Sequence, residues 1–295
     1  MESTHERDYQ ARVTEIASVR FLPNSTVEII REVDRGQPPR FALFDFDGTL
    51  SLIRDGWTEI MVSMLVEILQ QTGTDETDGQ LTQLVEQFVA ELTGKQTIYQ
   101  MLRLAEKVQK RGGEPLDPLE YKSRYHERLM KHIAHRREAL RSGAADATEM
   151  LVPFSLELLE ELKRRDVELY LASGTDENYV REEVELLGLA QFFGQHVYGA
   201  VDDHKKFSKQ MIIERILQEN GVEGSRLVGF GDGYVEIDNV KSTGGIAVGV
   251  ASDESGRSGR PDAWKRERLI GVGADVIVPD FRDYAAVCAY LWNEL

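Results

Sequence analysis

The sequence has little cysteine, a deficit of positive charge and no long apolar run, and each scarcity excludes a class of protein. Its 295 residues include one cysteine, Cys288, so neither an intramolecular disulfide nor a thiolate zinc site can form. Scarce cysteine is typical of a reducing compartment, so we expect a cytoplasmic protein. Because no run of 18 or more apolar residues occurs, the sequence predicts no membrane span.

Positive charge is outweighed by negative charge along the chain. Lys and Arg number 35 against 51 Asp and Glu, which leaves a formal net charge of −16. A surface this acidic repels phosphate backbones and anionic lipids, so we expect no nucleic-acid partner and no membrane partner. A small anionic substrate is compatible with this charge, because a site can be locally positive or carry a metal ion.

The pattern that is present is that of an α/β protein with a helical insertion. The continuous apolar run Phe41–Phe44 is typical of a strand buried on both faces. After it, apolar residues recur at helical spacing, and then short strands and helices alternate to the end of the chain. This order predicts a doubly wound parallel sheet. We expect an α/β core over 41–55 and 150–295, interrupted by an all-helical segment over 56–149.

Residues 1–40 form an N-terminal extension to which the sequence assigns no role. Within it, the run Val27–Ile30 is compatible with an added edge strand or with a short helix. Pro38 and Pro39 separate this run from the first core strand, so we expect it to lie outside the repeating α/β pattern.

Polar residues that suit a binding site follow the predicted strands. Ligands of a doubly wound sheet bind beyond the carboxyl ends of its strands. The first strand ends in Asp45 and Asp47, a later strand in Ser173 and Gly174, and another in Asp232. We therefore expect these side chains to converge at one edge of the sheet.

The chemistry of these residues suits a phosphate group and a metal ion. Asp45, Asp47 and Asp232 would repel one another unless a cation neutralised them, and oxygen ligands of this kind suit Mg²⁺. Ser173 and the Gly174 N–H are predicted to open a helix, whose N-terminus favours phosphate. With a nearby lysine, the set would stabilise a transferring phosphoryl group.

Short motifs give the sequence a resemblance to a known family. Asp45-Phe46-Asp47-Gly48-Thr49 resembles the first motif of the haloacid dehalogenase-like superfamily. Ala172–Thr175 resembles its second motif, a lysine ahead of the next helix its third, and Gly231–Glu236 its acidic fourth. The motifs occur in the family's order over roughly residues 41–280. The helical segment after the first motif is similar to the cap of these enzymes, so the resemblance implies a Rossmannoid core with a helical cap.

The resemblance also implies a role for each motif residue. Asp45 would be the nucleophile that forms an aspartyl-phosphate, and Asp47 would protonate the leaving oxygen and then deprotonate the attacking water. The carboxylates of Asp45 and Asp232 and the carbonyl of Asp47 would hold Mg²⁺. Ser173 and Gly174 would bind phosphate. Dehalogenases of the superfamily generally lack an acid at the position of Asp47, so its presence favours phosphate transfer.

The lysine of the third motif has two candidates. Lys209 lies 23 residues before Asp232 and Lys206 lies 26 before it, and both spacings occur in members of the family. We favour Lys209. The resemblance further implies that Glu236 orients a metal-bound water, whereas Asp238 is expected to be a surface or capping acid.

Other residues of the insertion and its borders offer weaker signals. Arg54 and Trp57 follow the first motif closely enough to reach a substrate. The helix Arg124–Arg141 is rich in basic residues, and we interpret it as a solvated face with i,i+4 ion pairs. The aliphatic stripes of the insertion are interpreted as core. Hinges for cap motion are expected near Ser51–Gly56 and Ala147–Pro153.

The sequence thus predicts a cytoplasmic, Mg²⁺-dependent phosphatase that acts on a small phosphomonoester, such as a phosphosugar or a phosphoglycolate-like acid. Two alternatives stay open. In a phosphomutase similar to β-phosphoglucomutase, the aspartyl-phosphate would return its phosphoryl group to sugar, and a non-catalytic protein would use the same fold for binding only. The chain is expected to be a monomer or a homodimer.

Overall fold

A computed structural model describes residues 8–13, 19–33 and 36–295, and in this part of the chain eight strands form one sheet. The spatial order of the strands is β1-β2-β8-β7-β6-β3-β4-β5. Their bounds are β1 Arg20–Phe21, β2 Glu28–Ile29, β3 Phe41–Phe44, β4 Glu168–Asp176, β5 Val197–Ala200, β6 Leu227–Gly231, β7 Ile246–Val250 and β8 Val276–Val278.

The parallel core of the sheet is built around β3. Phe41 pairs with Glu168 of β4 on one side and with Leu227 of β6 on the other. Side chains of β3 alternate between two hydrophobic clusters, because successive residues of a strand point to opposite faces. The continuous apolar run therefore marks a strand covered on both faces, as predicted. All carboxyl ends of the parallel strands lie at one edge of the sheet.

The N-terminal extension adds two antiparallel strands to β8. The run Val27–Ile30 contains strand β2, and β1 pairs outside it, so β2 is an inner strand and not the edge itself. Glu28 of this strand is buried, and Arg266 neutralises it at 2.6 Å. Of the two alternatives for this run, the strand is correct and the short helix is wrong.

Helices cover both faces of the sheet, as the alternating pattern predicts. Ser208 accepts a hydrogen bond from the Met211 N–H at the start of α8, and Gly221 ends that helix with φ of 60°. The helices of the core are α5 Ser155–Arg164, α6 Glu177–Leu186, α7 Ala190–Phe193, α8 Lys209–Asn220, α9 Tyr234–Ser242, α10 Ala263–Val272 and α11 Tyr284–Leu291.

The helical cap follows β3 and consists of α1 Trp57–Gln70, α2 Asp78–Leu92, α3 Ile98–Lys110 and α4 Pro118–Arg141. Its buried apolar side chains repeat every three or four residues, which is the spacing of one helix face. The two chain segments that join it to the core pair with each other. The Leu52 N–H donates to the Met150 carbonyl, and the Val152 N–H donates to the Leu50 carbonyl, each at 2.9 Å.

The sequence analysis named no helix at α7, α9, α10 or α11 and no strand at β1. Helix α9 lies directly behind the fourth motif, and its sequence Tyr234–Ser242 mixes apolar and charged residues without a clear stripe. Strand β1 has only two residues, too few to show an alternating pattern. Among the described helices none is both long and apolar enough to cross a membrane.

Candidate active site

Asp45 lies directly beyond the end of β3, at the carboxyl edge of the sheet. Its backbone N–H donates to the Phe230 carbonyl of the neighbouring strand β6, which fixes the chain at this point. One carboxylate oxygen, Oδ1, accepts the Phe46 N–H at 2.8 Å, and Oδ2 lies 2.8 Å from Lys209 Nζ. Both oxygens of this buried side chain are thus oriented by polar neighbours.

The acids of the fourth motif lie beside Asp45. Oxygen atoms of Asp45, Asp232 and Glu236 lie within 4.8 Å of one another. Asp232 follows β6, and its N–H donates to Thr49 Oγ1 at 2.9 Å, which joins the first and fourth motifs. The sequence expectation that residues about 185 positions apart meet at one edge is therefore matched by the geometry.

Crowding of these carboxylates affects the proton affinity of Asp45. Burial raises its pKa well above the ordinary value, Lys209 acts to lower it, and the neighbouring charges of Glu236 and Asp232 raise it further. A divalent cation between the carboxylates would favour their ionised forms. The acid cluster therefore has the electrostatic character of a cation site.

Asp47 points to a different side of the cavity from the acid cluster. Its Oδ2 accepts a hydrogen bond from Thr175 Oγ1 at 2.9 Å, and its Oδ1 lies 3.6 Å from Arg54 Nε. Burial raises the pKa of Asp47 to about 6, with Arg54 opposing the shift and Glu183 adding to it. A carboxyl with such a pKa can both give and take a proton near neutral pH.

Ser173 and Gly174 do not open a helix, so that prediction is wrong. They lie in the irregular end of β4, where the register against β5 shifts between Ala172 and Asp176. Helix α6 begins only at Glu177. Ser173 Oγ accepts the Thr175 N–H at 3.1 Å, a local side-chain bond of the kind that competes with helix formation.

Lys209, and not Lys206, lies at the acid cluster. Its side chain is buried, with Nζ 2.8 Å from Asp45 and 2.7 Å from Glu236. The Lys206 side chain is 77% exposed and pairs with Asp203 on the surface. Glu236 Oε1 accepts the Gly233 N–H at 2.7 Å, so both of its oxygens already have protein partners.

Sequence reasoning missed a second lysine at the acid cluster. Lys265 of α10, with a side chain that is largely shielded from solvent, lies 2.8 Å from Asp232 and 2.6 Å from Glu254. It also bonds to Ser252 Oγ, which in turn donates to the Gly48 carbonyl. Lys265 lies 33 residues after Asp232, and no spacing rule links it to the motifs.

A cavity of about 90 Å³ lies between this edge of the sheet and the cap. Its core wall is formed by side chains of all the motifs: Asp45, Asp47, Ser173, Gly174, Thr175, Lys209 and Asp232. Its cap wall consists of Arg54, from the segment that leads into the cap, and of the cap residues Trp57, Met61, Thr93, Gly94, Lys95, Thr97, Gln100, Tyr125 and Leu129. The expectation that Arg54 and Trp57 reach this site agrees with their position.

The loop between α2 and α3 lies against the second and fourth motifs. A Cβ atom at Gly174 would come within 2.7 Å of the Lys95 carbonyl oxygen, so only glycine permits this approach. A Cβ atom at Gly233 would come within 3.0 Å of Gly94 Cα. Gln96 Nε2 donates to the Phe207 carbonyl at 2.8 Å, two residues before Lys209. The cap loop therefore covers the motif residues in this structure.

The basic helix α4 is not only a solvated face. Arg124 makes the expected i,i+4 pair with Glu120 at 2.7 Å. Arg136, however, donates to the carbonyls of Ile53 and Asp55 in the segment that joins β3 to α1, at 2.9 and 2.6 Å. Other basic residues of α4 pair with acids of α1 and α6, namely Arg128 with Glu67, and Arg137 and Arg141 with Glu182.

Two further interpretations bear on the border of the site. The stripes of α1 and α4 are buried as predicted, but Trp57, Met61 and Leu129 of these stripes also form the cap wall. Asp238 pairs with Arg12 at 2.6 Å and does not line the cavity, which agrees with the interpretation as a surface acid.

The residues present fit a magnesium ion. Mg²⁺ prefers oxygen ligands, of which one or two are carboxylates and several are waters. Asp45, Asp232 and Glu236 supply carboxylates on neighbouring elements, and their mutual repulsion would be relieved by a cation. Lys209, beside Asp45, and Lys265, beside Asp232, balance part of the charge.

Comparison with known protein families and structures gives consistent results. The family of haloacid dehalogenase-like hydrolases matches residues 40–241, which is more than half of the chain. No functionally curated protein matches the sequence significantly.

Solved structures share the fold at low sequence identity. A β-phosphoglucomutase from Clostridium difficile has a TM-score of 0.54 and 17% identity, over 87% of this chain and 98% of that one. A predicted phosphoglycolate phosphatase from Haemophilus somnus 129pt has a TM-score of 0.53 and 17% identity, over 84% and 97%. A hydrolase of this family from Deinococcus radiodurans R1, solved with bound phosphate and sodium, has a TM-score of 0.51 and 16% identity, over 86% and 96%.

Proposed function

The chain belongs to the haloacid dehalogenase-like hydrolases, and from this membership we propose that it is a Mg²⁺-dependent phosphatase acting on a small phosphomonoester. One observation carries the proposal. Asp45 contacts Lys209 and lies beside Asp232. Asp47, which accepts a hydrogen bond from Thr175, lines the same cavity. Phosphoryl transfer needs a nucleophile, groups that stabilise negative charge and a separate proton donor.

In the first step Asp45 acts as the nucleophile. Its carboxylate oxygen attacks phosphorus, the new O–P bond forms, and the bond between phosphorus and the leaving oxygen breaks. Asp47 donates its proton to that leaving oxygen, which departs as an alcohol. Lys209 stabilises the negative charge on the phosphoryl oxygens, and Ser173 and the Gly174 N–H donate hydrogen bonds to them.

In the second step water releases the phosphate. Asp47, now ionised, takes a proton from water as the water oxygen attacks phosphorus, and the O–P bond to Asp45 breaks. The Asp47 position supports both tasks, since Thr175 Oγ1 holds one oxygen while the other is buried without a hydrogen-bond partner among the described residues. Inorganic phosphate and the free Asp45 carboxylate are the products of this step.

The carboxylates of Asp45 and Asp232 and the backbone carbonyl of Asp47 would hold Mg²⁺. The ion would supply charge neutralisation for the phosphoryl group. Glu236 holds Lys209 in place at 2.7 Å, and to orient a water as the resemblance implies it would share an oxygen that already accepts from Lys209 or from the Gly233 N–H. Lys265 and Thr49 hold Asp232 from the other side.

We also propose that residues 56–149 move as a cap on the core of 41–55 and 150–295. The paired segments around Ser51 and Leu151 are the hinges that the motion requires. Contact of the cap loop with Gly174 supports a closed state, in which bulk water is kept away from the reacting phosphoryl group. Opening would admit substrate and release product.

Replacement of Asp45 tests the nucleophile directly. Asp45→Asn removes the negative charge and the nucleophilic oxygen while keeping the shape, so hydrolysis of para-nitrophenyl phosphate is expected to fall to background. Asp78→Asn, on the exposed surface of the cap, is the matched control and should keep full activity. Near-normal turnover by Asp45→Asn would refute the proposed mechanism.

A phosphomutase is the second candidate. The observation that favours it is the cap loop over the motif residues, because a mutase must keep water from the aspartyl-phosphate while sugar returns. Incubation with sugar phosphates separates the two outcomes. A phosphatase releases inorganic phosphate, whereas a mutase yields an isomeric sugar phosphate with little phosphate release.

A further inference from the structure

The cap wall of the cavity is largely apolar and holds one unsatisfied acceptor. Trp57, Met61 and Leu129 provide its apolar surface, and Gln100 of α3 provides an amide. Since the core wall would hold the phosphoryl group, the cap wall faces the part of the substrate that leaves.

Gln100 is 3% exposed, and only half of its amide is satisfied by the protein. Its Nε2 donates to the Leu92 carbonyl at 3.3 Å, which directs the amide. Its Oε1 is buried and has no hydrogen-bond partner among the described residues. A buried acceptor is usually paired, so an orphaned one beside a substrate cavity points to a donor on the ligand.

Every cation on the cavity wall already faces a carboxylate. Arg54 donates two hydrogen bonds to Glu183 at 2.9 Å, and Lys209 contacts Asp45 and Glu236. A second anionic group on the substrate would have to displace one of these buried acids. The charges of the wall therefore disfavour a leaving group that carries a carboxylate.

The third cation of the wall, Lys95, is neutralised by the N-terminal extension. Asp8 Oδ1 lies 2.6 Å from Lys95 Nζ, and Asp8 Oδ2 lies 3.0 Å from Arg103 of α3. The Lys95 side chain is 3% exposed, so this pair is largely shielded from water on the lysine side. Asp8 lies ahead of the family-matched residues, which begin at 40.

Asp8 is held in position by the residues that follow it. Arg12 pairs with Asp238 at 2.6 Å, and its N–H donates to the Gly271 carbonyl at 2.8 Å. The Tyr9 ring lies 3.8 Å from the Arg268 guanidinium. Residues 8–13 thus join α9 and α10 of the core to the cap loop that covers the site.

We propose that the leaving group is uncharged and carries a hydroxyl group, which donates to Gln100 Oε1, and that Asp8 enforces this preference by cancelling the charge of Lys95. The inference rests on the proposed phosphatase function and narrows its substrates to polyol or sugar phosphates over phosphoglycolate-like acids. Gln100 is a specificity-determining residue in this account, and Asp8 is a positioning residue that acts through Lys95.

The substrate test compares kcat/KM on three esters: glycerol 1-phosphate, phosphoglycolate and para-nitrophenyl phosphate. The unmodified protein is expected to prefer glycerol 1-phosphate over phosphoglycolate by about 10-fold or more. Gln100→Met keeps the length of the side chain but removes the acceptor, so the ratio of glycerol 1-phosphate to aryl phosphate should fall about 5-fold, the effect of one hydrogen bond. Gln109→Met, exposed on the same helix, is the control and should leave the ratio unchanged.

The charge test removes the acid that covers Lys95. Asp8→Asn keeps the shape but exposes the ammonium to a carboxylate substrate, so kcat/KM for phosphoglycolate should rise about 10-fold. The gain should vanish in the double variant Asp8→Asn/Lys95→Met, because the responsible charge is gone. Glu76→Gln, which breaks the similarly close Glu76–Arg111 pair away from the cavity, should cause no such gain.

The outcomes separate this inference from the proposed function. If no ester is hydrolysed, including the aryl phosphate, the phosphatase proposal itself fails. The specificity inference is overturned if the aryl phosphate is hydrolysed but kcat/KM is higher for phosphoglycolate than for glycerol 1-phosphate. It is also overturned if Gln100→Met lowers kcat/KM equally for all three esters. If Asp8→Asn lowers kcat/KM equally for all esters, Asp8 has only a structural role, and its proposed effect on specificity through Lys95 is overturned.

Discussion

The two walls of the cavity are built on different principles. The core wall carries ionisable groups at strand ends and at the start of α8, where Asp45 and Lys209 contact each other directly. The cap wall carries side chains from helices whose main task is packing, and Met61 is both a cavity-lining residue and part of a buried stripe. The proposed catalytic groups are therefore concentrated on the core wall. We expect substitutions there to lower kcat, and substitutions on the cap wall to change stability and KM.

The core wall itself contains an instructive pair of lysines. Lys209 contacts the buried acids Asp45 and Glu236, whereas Lys265 contacts the half-buried Asp232 and Glu254. Only Lys209 lines the cavity, so only its charge can reach a bound phosphoryl group. Two lysines that each contact two acids of the site thus differ in expected function, because only one of them reaches the cavity.

The largest expected effect is on catalysis by Lys209. Lys209→Met should lower kcat about 100- to 1,000-fold, the loss typical of one preorganised charge-stabilising group. Steady-state kinetics with the aryl phosphate measures this loss. Lys206→Met is the control, since that side chain is 77% exposed. A large loss in Lys206→Met with little loss in Lys209→Met would reverse the choice between them.

Lys265 should matter for stability more than for binding phosphate. Lys265→Met leaves the half-buried Asp232 and Glu254 without their shared cation, and the free energy of unfolding should fall by about 2 kcal/mol, less than for a fully buried pair. Urea unfolding of metal-free protein measures this, with the exposed Lys110→Met as the control. An unchanged unfolding midpoint would show that the two acids do not need this lysine.

The cap wall can be probed with two members of one stripe. Met61→Ala and Leu65→Ala both remove buried side chains of α1, and each should lower the free energy of unfolding by about 2 kcal/mol or more. Only Met61 lines the cavity, so only Met61→Ala should also raise KM by a few-fold. Equal KM values for the two variants would mean that the cap wall does not contact the substrate.

The smallest expected effect is a pH dependence at the junction of cap and core. Burial lowers the pKa of His126 to about 4, with Asp176 opposing the shift. The unfolded chain therefore binds this proton first, and stability is lost as the pH falls below about 6.5. Between pH 7 and 5.5 the loss should be about 1 kcal/mol from this group.

The measurement is the pH dependence of urea unfolding in His126→Phe. The variant cannot take up this proton in either state, so its stability should depend less on pH over that window. His135→Phe, on the exposed side of α4, should retain the pH dependence of the unmodified protein. An unchanged dependence in His126→Phe would contradict the buried, neutral state of this ring.

The sequence predicted the core wall of the cavity better than the cap wall. The core strands and the approach of Asp45 to Asp232 could be predicted, because parallel strands bring their carboxyl ends to one edge. The extension of β4 through Ser173 to Asp176 was not predicted, since helix caps and strand ends use the same short polar residues. Gln100 gave no signal, because an inward-facing glutamine on a helix has no distinguishing spacing.

Local order in the chain was enough to determine the α/β core, the place of the helical insertion and the motif residues, because each follows from short-range periodicity and from what ends a strand. Only the tertiary structure selected Lys209 over Lys206, brought Lys265 to Asp232 and set Asp8 against Lys95. These contacts join residues from separate elements, and their distances depend on how helices and strands pack, which no nearest-neighbour pattern encodes.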